Sequence, residues 1–348
     1  MKQFTVTERD EGLRFNKFLN HIMPNAGSGF LYKQLRKKNI TLNEKKAEGN
    51  ETLHKGDVIT IFFSDETFAK FQANKQEKLP VFSKHKIKKD WIVYEDDNLI
   101  IAFKPAGILS QKDASELDSM NEMLLEYMSD NGSLTPTSLQ EYKPGICNRL
   151  DRNTAGLILF SKNARAGREI NQMLRNRSID KYYYAVVNGV MNEFIDSKVY
   201  LTKNEDDNIV LISDKPNTED SVLVHTDFTP VTHNSGLTLV RVRLHTGKSH
   251  QIRSVLAYLD HPILGDPKYF SATDRYHLKN GWYQRLYHIK GQQLLAYALH
   301  FPKESGEYLG YLSDKVFKSP IPKDFAALVS AEFCNEGDIN AVMEIPRA

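Results

Sequence analysis

Two apolar rhythms divide the chain. Between residues 12 and 63, short helical spacings alternate with brief β runs. Asn16, Lys17, Phe18, Leu19 and Ile22 open a helix that stops near Pro24. Ser28 reads as the cap of a second helix, Gly29 to Lys38, with Phe30, Leu31 and Leu35 on its apolar side. Ile40 to Asn43 reads as a strand with a turn after it. Val58 to Phe62 reads as another, following the turn Lys55-Gly56-Asp57. From Trp91 the runs lengthen. Ile92 to Tyr94, Leu99 to Phe103, Leu157 to Phe160, Tyr182 to Val187 and Thr238 to Leu244 predict strands, and Met120 to Met128, Ala164 to Leu174 and Ser249 to Leu259 predict helices.

The βαβ rhythm is irregular, which favours an α+β fold with a mixed, largely antiparallel sheet over a doubly wound one. A chain of 348 residues suffices for two domains. The expected division is a small α/β module at 1–64, a linker at 65–90, a main domain at 91–325 and a C-terminal tail at 326–348. The linker is polar and carries Lys70, Lys75, Lys78, Lys84, Lys86, Lys88 and Lys89, a composition suited to ordering on RNA. Residues 203–219 read as a polar hairpin tip or mobile insertion, and the pattern beyond Asp324 is too weak to place.

Net charge is only +2, but residues 1–89 hold 18 Lys+Arg against 10 Asp+Glu, whereas the remainder is acidic overall. A basic first module suggests a polyanionic partner such as nucleic acid; charge alone fits a merely soluble basic domain equally well. Lys33, Arg36, Lys37 and Lys38 crowd the polar side of the second helix. Two cysteines make neither a disulfide framework nor a four-thiolate metal site. With no apolar leader and no run long enough to cross a bilayer, a cytoplasmic, reduced and monomeric protein without a membrane partner is expected.

The chemistry gathers in four segments. Lys104-Pro105-Ala106-Gly107 closes an apolar strand. Asp151 lies between Arg149 and Arg152, before Thr154-Ala155-Gly156 and a buried run. The flanking cations suit a charged acid, and small residues there allow a substrate to approach closely. On the strand from Lys181, period two puts Lys181, Tyr183, Ala185 and Val187 on one face. In Leu244 to Arg253, Gly247 ends a strand and Ser249 is placed to cap the next helix. Arg253 then falls near the positive end of that helix, where a cation needs an acid, and Asp151 is the natural partner. His245 and His250 are poorly spaced for a metal pair, so no metal is expected. Walker loop, dinucleotide fingerprint and nucleophile elbow are all missing.

Together these segments resemble the RluA/RluC/RluD family of RNA pseudouridine synthases. The family's His-Arg-Leu-Asp-x-x-Thr-Ser-Gly-Leu-Leu motif is matched by Asn148 to Ile158. Its Lys-Pro-x-Gly is matched by Lys104 to Gly107, and its Lys-x-Tyr-x-Ala by Lys181, Tyr183 and Ala185. Its Thr-Gly-Arg-x-His-Gln-Ile-Arg is matched by Thr246 to Arg253, and its His-Pro-Ile-x-Gly-Asp by His261 to Asp266. The basic N-terminal module resembles an S4-like RNA-binding domain. Asn148, Ala155, Lys248 and Leu294-Leu295-Ala296 depart from the family pattern, and Asn148 and Ala155 are expected to tune RNA contacts or base flipping.

The resemblance implies a bent mixed sheet with a central cleft and conversion of uridine to pseudouridine without a cofactor. Asp151 would be the nucleophile or initiating base. Tyr183 would stack on uracil and help remove the C5 proton, while Arg253 would pair with Asp151. Arg149, Arg152, Thr154, Lys181, Lys248, His250 and Gln251 would contact RNA. Lys33, Arg36, Lys37 and Lys38 would meet phosphates. Ribosomal RNA of the large subunit is the favoured substrate and transfer RNA the alternative. A ribosome-assembly factor with a vestigial catalytic domain is the rival reading.

Overall fold

The structure, a computed structural model, describes residues 1–8, 10–72, 79–113, 118–204, 209–270, 277–334 and 339–345. The first module comprises β1 (Lys2–Thr5), α1 (Phe15–Ile22), α2 (Ser28–Arg36), β2 (Ile40–Leu42), β3 (Lys45–Lys46), β4 (Val58–Ile61) and α3 (Asp65–Phe71). Its antiparallel sheet runs β1-β4-β2-β3. Phe15, Leu19, Leu31, Leu35, Ile59 and Ile61 form a core of their own beneath the helices.

Two local expectations change here. Ser28 is the first helical residue of α2 rather than its cap, and Gly27 takes the cap position. The linker also does not begin at 65. Ser64 caps α3 by accepting the Thr67 N–H at 3.2 Å, and Phe68 is fully buried in the module's core. Residues 79–91 are strapped to the main domain. The Phe82 N–H donates to Glu126 Oε2 at 2.8 Å, and Lys86 Nζ reaches Glu126 and Asp130 at 3.0 and 2.7 Å. Lys75 and Lys78 lie outside the described residues.

The main domain follows with β5 (Ile92–Glu95), β6 (Leu99–Lys104), α4 (Met120–Asp130), α5 (Pro136–Glu141), β7 (Gly145–Ile146), β8 (Ala155–Ser161), α6 (Ala164–Arg175) and β9 (Asp180–Asn188). Next come β10 (Ile195–Asn204), β11 (Ile209–Ser213), β12 (Val222–His233), β13 (Leu237–Leu244), α7 (Gln251–Tyr258) and α8 (His277–Leu286). The chain ends with β14 (Leu294–His300), β15 (Val316–Lys318), α9 (Lys323–Phe333) and α10 (Ile339–Val342). The described strands form one sheet ordered β11-β10-β12-β13-β9-β14-β8-β6-β5, with β15 added to β14 and β7 to β8. The β14–β8 pair is parallel and the other named pairs are antiparallel. The fold is α+β with a large mixed sheet.

Period two on β9 decides its two faces. Tyr183, Ala185 and Val187 enter one core with residues of α4 and α7, while Tyr182, Tyr184 and Val186 enter another with α9. Of the two readings of 203–219, the hairpin holds: β11 pairs antiparallel with β10 from Asn204 and Ile209 onward, with Val210 buried; 205–208 lie outside the described residues. The expected tail is also part of the core. Phe325, Leu328, Val329 and Met343 are buried under the sheet, and Tyr184 Oη donates to the Glu344 carbonyl at 2.7 Å. Among the described residues no helix is long and apolar enough to cross a membrane.

Candidate active site

Asp151 stands in the loop before β8, closed by the Thr154 N–H donating to the Asp151 carbonyl at 3.0 Å. Neighbouring residues pin this turn. Lys104 is fully buried at the end of β6, and its Nζ donates to the carbonyls of Pro105 (3.0 Å), Ile108 (2.8 Å) and Arg152 (3.0 Å). Three carbonyls match the three protons of an ammonium. Burial nonetheless pushes the Lys104 pKa down to about 7, with the Asp151 charge opposing that shift. Ser110 Oγ donates to the Leu150 carbonyl at 2.7 Å and accepts the Leu150 N–H at 2.9 Å.

Arg253 reaches Asp151 from the first turn of α7. Its Nη1 donates to Asp151 Oδ2 at 2.9 Å. Its Nε and Nη2 engage Asp266 Oδ2 and Oδ1 at 2.7 and 3.0 Å, a two-point ion pair in which the Asp266 side chain is fully buried. Asp266 Oδ1 also accepts the backbone N–H groups of Lys268 and Tyr269. The hydrogen bonds and charge of Asp266, with those of Asp151, outweigh burial and push Arg253 still further above its ordinary value. The guanidinium is thus fixed by one acid and presented to the other.

Asp151 and Arg253 line a cavity of about 680 Å³ with Arg149, Tyr183, Lys181, Lys248 and Leu294 on its walls. Tyr183 is buried beside Asp151. Burial first, and then the Asp151 charge, push its hydroxyl well above the usual tyrosine value. Burial lowers the Lys181 ammonium and leaves His250 below its ordinary value. His250 takes a left-handed backbone (φ +57°), and its Nε2 lies 4.0 Å from Asp151 Oδ2. Its Nδ1 meets Tyr269 Oη at 2.8 Å.

The RNA pseudouridylate synthase family matches residues 98–258, which contain Asp151, Tyr183 and Arg253. An uncharacterized RNA pseudouridine synthase of Mycoplasma pneumoniae is 30% identical over 334 residues, covering 94% of this chain and 97% of the relative. The chain belongs to the RNA pseudouridine synthases. A second uncharacterized member, from Mycoplasma genitalium, is 29% identical over 337 residues, 94% of this chain and 98% of its own. A ribosomal large subunit pseudouridine synthase C of Rickettsia prowazekii is 31% identical over 266 residues, 74% of this chain and 82% of the relative.

Several motif residues of this synthase serve ends other than those expected. Gly156 does not open space for substrate. Its φ is +133°, and a Cβ there would stand 2.3 Å from the Ala296 carbonyl oxygen, so it permits β8 and β14 to touch. Asn148 acts as a piece of strand: its Nδ2 donates to the Leu157 carbonyl at 3.3 Å, and its Oδ1 accepts the Leu159 N–H at 2.7 Å. Ala155 and Leu295 are buried in the core beneath α9. Gln251 borders the cavity, but its carboxamide bonds Thr246, the Lys248 N–H, the His225 carbonyl and Thr226, so it braces the loop.

Thr154 is buried and accepts from Gln292 Nε2 at 3.2 Å. Arg149 and Arg152 are both exposed; Arg149 lines the cavity, and Arg152 turns its Nε back to the Gly107 carbonyl at 3.2 Å. Helix α7 starts at Gln251 with His250 at the cap position, not with a Ser249 cap, and β13 ends at Leu244 rather than Gly247. Lys33, Arg36, Lys37 and Lys38 are all exposed around the end of α2.

Sequence reading missed the roles of Lys104 and Asp266. Both stand in quoted motifs, and each is a charge at the end of an apolar run. That placement demands a buried partner.

Proposed function

We propose that Asp151 initiates isomerisation of a uridine flipped out of structured RNA, and that the substrate is large-subunit ribosomal RNA. The observation that carries this reading is the Arg253–Asp151 contact at 2.9 Å on the wall of a cavity lined by Tyr183. A stacked uridine hides its reactive atoms, so the base must leave the helix to reach such a cavity. Asp151 then acts as nucleophile or initiating base, and the N1–C1′ bond breaks. The uracil turns against the Tyr183 ring, C5 bonds C1′, the C5 proton leaves and N1 gains one. Product and substrate are isomers, so atoms and electrons balance without a cofactor.

The N-terminal module, read as an S4-like domain, holds phosphates through Lys33, Arg36, Lys37 and Lys38 and positions the RNA. The name carried by the Rickettsia relative supports the ribosomal substrate. Tritium release from RNA labelled at uracil C5 tests the reading. Wild type should release tritium from ribosomal RNA, and Asp151→Asn should not. No release from any ribosomal or transfer RNA sinks the activity for this chain. Release from transfer RNA alone redirects the substrate, and undiminished release by the variant removes Asp151 from the chemistry.

A further inference from the structure

On the sheet face opposite Tyr183, β10, β12 and β13 bring together two histidines and two aspartates. His225 and Asp227 are two apart on β12 and share a face. Asp196 on β10 stands directly across from Asp227. His245 follows the end of β13, beside His225. The two imidazoles stack with centroids 3.9 Å apart and planes 9° from parallel. Both aim Nε2 at the same carboxylate: His245 at Asp227 Oδ2 (2.7 Å) and His225 at Asp227 Oδ1 (3.4 Å). His225 Nε2 also lies 2.6 Å from Asp196 Oδ1.

Two features go beyond an ordinary surface hydrogen-bond network. Like charges directly opposite on antiparallel strands repel, and Asp196 and Asp227 are such a pair. The cations on this face are engaged elsewhere or on one side only. Arg243 pairs with Asp180 at 2.8 Å, and Lys198 pairs with Asp196 at 2.9 Å. One group answers two carboxylates and two neighbouring ring nitrogens together: a divalent cation.

We infer that His225, His245, Asp227 and Asp196 form a binding site for a divalent transition-metal ion of the zinc class, which staples β10, β12 and β13 together. Two imidazoles and two carboxylates suit zinc, and bonds of about 2.1 Å set neighbouring ligand atoms about 3.4 Å apart. The ligand atoms of His225, Asp227 and His245 already lie within 4.8 Å of one another. To complete the set the stacked rings turn out of parallel and Asp196, now held on His225 Nε2, swings in beside Asp227. The side chains are partly exposed, so an ion can enter. The site also adjoins the loop into α7. The His225 carbonyl accepts from Gln251 Nε2 at 3.2 Å, two residues before Arg253. A bound ion would therefore stiffen the approach to the Asp151 partner.

Cobalt and zinc binding to the untagged, full-length, chelator-stripped protein tests the site. One equivalent of Co²⁺ should give the visible absorption of a four-coordinate nitrogen and oxygen site, and Zn²⁺ should displace it. Zn²⁺ should also raise the thermal midpoint of wild type. Both signals should vanish in His225→Gln/His245→Gln. If that variant fails to fold, His225→Gln alone carries the test, because weakened cobalt binding is required of it too. Absence of both signals at about 100-fold excess of metal overturns the proposal. So does unchanged binding in the folded variant, or a thiolate charge-transfer band placing the ion at a cysteine.

Discussion

The cations of the cleft and those of the N-terminal module are handled in opposite ways. Arg253 is buried and gripped by two acids, and Lys104 is buried and gripped by three carbonyls. Lys33, Arg36, Lys37 and Lys38 stand in solvent around the end of one helix. A charge that must orient one atom is desolvated and over-determined; a charge that meets a moving polyanion is left hydrated and mobile. The first kind fails abruptly when its partner is removed, the second by degrees and in proportion to salt.

The largest break in this contrast should come from Asp266→Ala. It strands a buried guanidinium, and breaking a buried pair costs about 3–5 kcal/mol. Urea unfolding should show that loss, and displacement of Arg253 should lower tritium release about a hundredfold. A variant as stable and active as wild type would mean that Arg253 needs no second acid. Gly156→Ala comes next. Its methyl meets the Ala296 carbonyl, an overpacking that costs about 3 kcal/mol. Wild-type stability in that variant would show that β8 and β14 separate easily.

Lys104 gives a pH signature. Its folded value of about 7 lies below the ordinary 10.5, so between these values the unfolded chain holds more protons. Stability from this group therefore rises with pH across that window, and the burial penalty is greatest below it. The urea midpoint of wild type, compared with Lys104→Met, should carry that extra upward slope; parallel profiles would refute it. The smallest effect belongs to the N-terminal module. Lys33→Gln/Lys37→Gln/Lys38→Gln should weaken RNA binding and make it less sensitive to salt. The slope of log affinity against log salt should shrink by about 0.7–0.9 for each phosphate no longer neutralised. Turnover at saturating RNA should hold, and an unchanged salt slope would remove these residues from the RNA path.

Much of the architecture was legible beforehand. The runs at β6, β8, β9 and β13 and the helices α4, α6 and α7 announce themselves through local periodicity. Strands β10, β12 and β14 did not. Strand β12 mixes polar residues onto a partly open face, and β14 is a short apolar run whose place between β9 and β8 depends on partners more than a hundred residues away. Helix α9 escaped notice because its burial depends on a sheet face assembled elsewhere.

Taken alone, the order of residues determined the strongly periodic helices and strands, the α+β class, and Asp151, Tyr183 and Arg253 as the residues to watch. Each of these rests on neighbours in sequence, on periods of two or 3.6, or on short motifs. Only the tertiary structure decided that Asp266 holds Arg253, that Gly156 serves strand contact rather than substrate, that Asn148 completes β8, and that two histidines share an aspartate behind the cleft. Those outcomes depend on strand order and on which side chains are shut away from water together. Residues far apart in the chain set both, and no local pattern records them.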